Sequence, residues 1–405
     1  MTKQLIFLES GTGFQFILDS SDRGQFFNLV FRHQAERCAK GFSSWDHFVA
    51  MLFCQLAQAK SLREICGGLS CCLGKLRHLG VKKAPSKSTL SYANAHRPWQ
   101  LYRDLFYQTL DICKMAGPGK HRFRFKNKLL SLDSSTISLC LSLFPWAKFR
   151  RTKGAIKLHL LLDHDGYLPT FAHITNGKKH DVTIARQIPL APYSIVAMDR
   201  GYNDYQLFAD WTENQVFFVT RLKDNADYTV VEKRRIPANR NILADELIRF
   251  NGYYAQKKCP HILRKVVVWD KDQSREIVLL TNHLEFGPTT ISAIYKDRWQ
   301  IELFFKALKQ NLKVKTFVGT TENALFIQIW TALIAMLLIK YLSFKAKFGW
   351  SLSNLVAFLR WNLFTYRDLW EWIDKPFDVL PITPESVQYL LPFKGLGQHT
   401  LKMGT

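Results

Sequence analysis

Residues 295–309, YKDRWQIELFFKALK, constrain this chain more than any other stretch. A helix turns about 100° per residue, which brings Tyr295, Arg298, Lys306 and Lys309 within about 40° of Glu302. Together they form one polar stripe about four turns long. Beside it, Ile294, Ile301, Phe305, Leu308 and Leu312 form an apolar stripe that has to face a core. The spacing predicts one helix that buries one edge. On the next edge it presents a carboxylate flanked by cations and a phenol. A carboxylate can hold a divalent metal, and Arg and Lys can hold phosphates. The same spacing also suits an ordinary amphipathic helix with spaced ion pairs.

The chain has 405 residues, enough for two or three domains with sizeable cores. A formal net charge of +23 points to a polyanionic partner, nucleic acid first and a membrane surface second. The basic residues run along the whole chain, so the charge is not that of a tail on a neutral domain. The opening, MTKQLIFLES, does not read as a signal peptide. The eight cysteines form no CxxC pair, and buried thiols in a reducing cytosol are expected in place of zinc or disulfides. Residues 324–339, ALFIQIWTALIAMLLI, are apolar but short for a membrane span and carry Gln328 and Thr331. A buried core helix is the favoured reading.

The first 118 residues read as mostly helical, with helical apolar spacing over 45–59 and a break expected at Gly67-Gly68. A basic turn at 80–85 precedes Ser86, whose hydroxyl can cap a new helix. A helix-turn-helix-like DNA reader and a plain bundle joint both fit this pattern. Residues 115–119, MAGPG, read as a linker. The following HRFRFKNK suits a strand or a phosphate-contacting arm.

Strand signals then alternate with carboxylates. A short apolar run at 129–132 ends at Asp133. Runs at 155–162 and 167–174 flank Asp163-His164-Asp165-Gly166, a hairpin signal. A run at 194–198 ends at Asp199, and Gly201 allows a sharp turn into a helix over 204–213, before a strand at 216–220. Residues 222–288 read as β-rich and hold Lys233, Arg234, Arg235, Arg240, Lys257, Lys258, Arg264 and Lys265. Trp269 there reads as core, with stacking on an unpaired base as the other role. Residues 351–372 suggest a helix pair, and the proline-bearing tail from 376 an extended segment.

The pattern Tyr295-x-x-Arg298-Trp299-x-Ile301-Glu302-x-x-Phe305-Lys306-x-x-Lys309 resembles the YREK signature of bacterial insertion-sequence DDE transposases. The resemblance spans roughly residues 27–375, including an N-terminal module at 27–69 and the text AMDRGYND around Asp199. It implies an α/β fold: a ribonuclease-H-like mixed sheet core interrupted by a β-rich insertion. A helical N-terminal domain and a helical C-terminal region would flank it. The implied boundaries are a DNA-binding domain at 1–118, core at 119–221 and 289–345, insertion at 222–288, and C-terminal region at 346–405.

The same resemblance implies that Asp133, Asp199 and Glu302 are catalytic and bind metal. Three ionised acids in one small site need a counter-charge. Two Mg²⁺ ions about 4 Å apart would supply it, with Mn²⁺ as a substitute. Tyr295, Arg298, Lys306 and Lys309 are implied DNA contacts. His180-Asp181 also matches the family text, without an assigned role. The implied partners are double-stranded DNA, as transposon ends and target, and a second copy of the chain on that DNA, with no membrane. The implied location is the bacterial cytoplasm, at the nucleoid. An inactive DNA-binding derivative of such an enzyme is the alternative reading. A basic membrane-associated protein using 324–339 is the alternative from another class.

Overall fold

The computed structural model describes residues 22–37, 39–72, 76, 79–117, 122–238, 240–362 and 369–378. The chain start, part of the 115–119 linker and the tail from 379 lie outside the described residues.

Five helices come first: α1 (Asp22–Arg32), α2 (Ser44–Leu56), α3 (Leu62–Ser70), α4 (Lys87–His96) and α5 (Gln100–Ala116). Ser43, Ser61 and Ser86 cap α2, α3 and α4 by accepting from the amides of Asp46, Glu64 and Thr89. Each cap satisfies a donor that the helix itself cannot. Gly67-Gly68 does not break the chain there; it lies inside α3. A Cβ on Gly68 would sit 2.7 Å from Phe53 Cζ, so the glycine lets α3 approach α2 closely.

Ten strands form one sheet. They are β1 (Leu129–Leu139), β2 (Lys148–Arg150), β3 (Lys153–Asp163), β4 (Leu168–Asn176), β5 (Ile195–Met198) and β6 (Phe217–Arg221). Then come β7 (Tyr228–Lys233), β8 (Ile242–Phe250), β9 (Leu263–Asp270) and β10 (Arg275–Thr281). The order is β2-β3-β1-β5-β6-β10-β9-β8-β7, with β4 paired to β3. β5 runs parallel to β1 and β6, and the other pairings are antiparallel. The β-rich stretch after residue 222 thus hydrogen-bonds onto the same sheet, Leu280 opposite Thr220.

Shorter helices line the sheet: α6 (Asp181–Ala185), α7 (Tyr205–Glu213) and α8 (Tyr253–Lys258). Two longer ones, α9 (Pro288–Asp297) and α10 (Trp299–Asn311), precede α11 (Glu322–Lys345), α12 (Leu352–Asn362) and α13 (Leu369–Asp374). Strand side chains alternate between faces. Leu130, Leu132, Val196 and Met198 therefore join Leu207 and Phe208 of α7 in one core. Leu129, Ile195 and Ala197 join Ile291 and Ile294 of α9 on the opposite face.

The apolar segment at 324–339 lies within α11, the central core helix. It is long and apolar enough to cross a membrane, yet 89% of its apolar window is buried inside the fold. Gln328 shows how a polar group is accommodated there. Its Nε2 donates to the carbonyls of Lys313 and Thr316 at 2.8 Å, and its Oε1 accepts from the Val318 amide at 2.9 Å.

Two more expectations change. Asp133 is not at a strand end: β1 continues to Leu139, because β3 pairs with it from Leu130 through Leu139. What ends beside Asp133 is the parallel partner, β5. The helix expected over 295–309 is two helices meeting at Arg298. The Arg298 amide is shared by the Ile294 and Tyr295 carbonyls, and its own carbonyl accepts from Ile301, all at 3.2 Å. The apolar stripe itself is buried as expected, but its two halves serve different cores. Ile294 packs with β6, β9 and β10, whereas Ile301, Phe305 and Leu308 pack in the core that contains α11.

Candidate active site

The strand register brings the two aspartates together. Leu132 is opposite Met198 in the parallel β1–β5 pairing, so Asp133 and Asp199 follow at the same level. Both continue the alternation that faces α9 and α10. Glu302 comes to this face from α10, which packs on β1. Arg298 joins the sets: its Nη2 donates to Glu302 Oε1 at 2.6 Å, and its Nη1 lies 3.8 Å from Asp133 Oδ2. The arginine is only 8% exposed.

Mutual electrostatics report the same proximity. Burial pushes the Asp133 carboxyl up to about 6; Glu302 and Asp199 push the same way, while the Ser134 amide and Arg298 oppose. Burial also raises the Tyr202 phenol, and the charges of Asp133, Asp181 and Asp199 add to it. Burial works against the Arg298 charge, but Glu302, Tyr295 and Asp133 more than offset it and hold the guanidinium above its ordinary value. Such opposed shifts in one cluster are typical of functional sites.

Among the described residues, no three His, Cys, Asp or Glu side chains are gathered closely enough to share a metal ion. Arg298 supplies the positive charge between Glu302 and Asp133. The donors fit a hard divalent cation even so: all are carboxylate oxygens, and the site already stabilises one buried cation.

The other expected residues divide. Tyr295 stays with the cluster, its ring centroid 5.5 Å from the Arg298 guanidinium carbon. Burial raises its phenol, with Asp199 adding and Arg298 and Arg221 opposing. Lys309 reaches back to β1, donating to the Thr136 carbonyl at 3.2 Å. Lys306 is exposed on α10. Asp181 accepts from Ser134 Oγ at 2.8 Å and from Lys157 at 3.1 Å, which ties α6 to the back of β1 and gives the unassigned His180-Asp181 text a structural use.

A cleft of about 660 Å³ opens between the β9–β10 turn and the α9–α10 junction. Arg221, Trp269, Arg275, Tyr295, Arg298 and Trp299 contribute to its wall. Trp269 is 37% exposed there, so it is a cleft wall and not a buried core residue. The sequence reading assigned nothing to Arg221 or Arg275, because only the sheet order brings their strands beside α9. Two cations expected on the basic surface are instead paired. Arg264 is buried and forked onto Asp245, with both bonds at 2.7 Å, and Lys265 meets Glu246 at 2.6 Å.

Carboxylates near the end of a parallel strand, beside a basic aromatic cleft on a strongly cationic chain, suit an enzyme that acts on DNA. The family of the transposase DDE domain matches residues 124–338, just over half the chain, and the chain belongs to that family. A second family, the domain of unknown function DUF4372, matches residues 10–82. A Sinorhizobium fredii protein named as a transposase is 32% identical over 263 residues, 64% of this chain and 71% of that one. A protein of Geobacillus stearothermophilus, named as the transposase for insertion sequence element IS5377, is 29% identical over 67% of this chain and 72% of its own. A Synechocystis protein, named for element IS4SA, is 29% identical over 67% and 76%. The cryo-EM structure of a piggyBac transposase synaptic complex with hairpin DNA superposes with a TM-score of 0.41 at 11% identity, covering 84% of this chain and 73% of that one. The protein is thus a DNA transposase, a DNA-cleaving enzyme of a family that generally uses divalent metal ions.

Proposed function

We propose that this transposase belongs to the YREK-signature group, cuts the ends of an insertion sequence and joins them to target DNA. In this reading the sheet through β6 with α9 to α11 is a ribonuclease-H-like core, and the β-rich stretch at 222–288 is its insertion. The observation that supports it most is that Arg298 lies between Glu302 and Asp133, with Asp199 at the same level on the neighbouring strand end.

Asp133 and Asp199 present donors from adjacent strands whose backbone cannot shift independently. Glu302 adds the third from α10. Two Mg²⁺ ions held by the three, or Mn²⁺ in their place, would supply nucleophile activation and charge neutralisation at the leaving 3′ oxygen. Arg298, freed from Glu302, and Tyr295 hold phosphate at the cut end. Lys306 and Lys309 extend that contact along α10. The helical domain at 1–118 adds DNA affinity, and a homodimer on DNA brings two ends together. The setting is the bacterial nucleoid.

The test is divalent-metal-dependent cleavage of a duplex carrying the element's own ends, comparing wild type with Glu302→Gln. Wild type should cut, and Glu302→Gln should bind the ends without cutting. Equal cutting by both would remove Glu302 from the site and overturn the reading.

A further inference from the structure

Asp297 immediately precedes Arg298, and its side chain is wholly buried. Its Oδ2 lies 2.6 Å from His164 Nδ1, and its Oδ1 accepts from Arg122. The other ring nitrogen, His164 Nε2, lies 2.7 Å from Ser131 Oγ. An ionised carboxylate only accepts, so His164 Nδ1 donates to Asp297 and Nε2 is left to the Ser131 hydroxyl. Ser131 is on β1, two residues before Asp133 and therefore on the same sheet face. His164 sits in the turn between β3 and β4. One polar chain thus runs from the junction of α9 and α10 to the strand that carries Asp133.

Serine, histidine and aspartate in this order could suggest a nucleophile. Ser131 is fully buried, so no substrate reaches it. The arrangement has a use in geometry instead. A hydrogen bond is directional and short, and a displaced Asp297 would lose the His164 bond while still buried. At the junction Arg298 keeps helical backbone angles, but its amide is shared between two carbonyls.

We infer that Asp297, His164 and Ser131 form a pin that fixes the α9–α10 junction against β1, and through it the distance of Glu302 from Asp133 and Asp199. All three are positioning residues. The inference rests on the three-carboxylate reading above.

The experiment uses the full chain. Ser131→Ala removes one hydroxyl. His164→Asn keeps a donor toward Asp297 but not the reach to Ser131. For each variant, binding of Mn²⁺ alone is measured by electron paramagnetic resonance, alongside end-duplex affinity, cleavage rate against Mn²⁺ concentration, and melting temperature. A misplacement of about 1 Å caused far from the chemistry can cost up to about 100-fold in rate. The pin predicts about tenfold weaker Mn²⁺ binding and tenfold slower cutting for each variant. It also predicts end affinity within about twofold of wild type, and a double variant no worse than His164→Asn alone. A lowered melting temperature with unchanged Mn²⁺ binding would mean a purely structural role and overturns the inference. If His164→Asn does not fold, Ser131→Ala decides alone, and wild-type Mn²⁺ binding by it is equally fatal. Asp133→Asn separates the two readings. If it cuts like wild type, the carboxylate assignment has failed. If it is dead while Ser131→Ala binds Mn²⁺ normally, only the pin has failed.

Discussion

Arg298 and Glu302, one helical turn apart, meet at 2.6 Å, and the same guanidinium lies 3.8 Å from Asp133. The arginine, itself buried, is therefore the counter-charge shared by two partly exposed acids. A cation that binds both carboxylates has to displace it. Removing one partner of a buried pair leaves an uncompensated charge.

Arg298→Ala in EDTA should be less stable than wild type by roughly 1–3 kcal/mol, the smaller end because Glu302 is partly solvated. Mn²⁺ should raise the melting temperature of the variant more than that of wild type. Equal Mn²⁺ effects on the two proteins would contradict the counter-charge role.

Asp133 gives a pH dependence with a definite sign. Its carboxyl is held at about 6 in the fold, above the ordinary 3.8, chiefly by burial. The folded chain therefore binds this proton more tightly than the unfolded one. That stabilisation is complete below about pH 4 and is lost as the pH rises through 6. Without metal, the contribution should fall by up to about 3 kcal/mol between pH 4 and 7. Urea melts in EDTA should show this slope in wild type and a flatter one in Asp133→Asn. The same slope in both would refute the assignment.

Lys306 and Lys309 should separate in a salt titration. Lys306 is exposed, so Lys306→Ala should reduce the slope of log affinity against log salt by about one unit and leave the melting temperature unchanged. Lys309 also ties α10 to the Thr136 carbonyl on β1. Lys309→Ala should weaken end binding and cost about 1 kcal/mol of stability as well. Identical behaviour of the two variants would argue against that division.

Gln328 has an apolar address and a polar task. Gln328→Leu would leave the Lys313 and Thr316 carbonyls and the Val318 amide without the side chain that pairs them. A loss of about 2–4 kcal/mol is expected in chemical denaturation, because buried polar groups without partners carry their full desolvation cost. A neutral substitution would show that solvent reaches that turn.

Local regularities made much of this protein readable from its residues. The spacing of Ile294, Ile301, Phe305, Leu308 and Leu312 named the buried edge of α9 and α10, and the hydroxyl of Ser86 named the start of α4. The apolar runs before Asp133 and Asp199 named two strands. All of these follow from periods of two or 3.6 residues and from cap chemistry, which act within a few positions of the chain. The tertiary structure decided what depends on distant partners. Pairing with β3 carried β1 past Asp133, and Phe53 made Gly68 a contact where a break was expected. Asp245 took Arg264 out of the basic surface, and the order β6-β10-β9 turned Trp269 from core into cleft wall. The turn at Arg298 separates Ile294 and Ile301, which dock on different cores. Ser131, His164 and Asp297 are separated by 33 and 133 positions, and only the pairing of strands and the docking of α9 bring them into one chain of bonds.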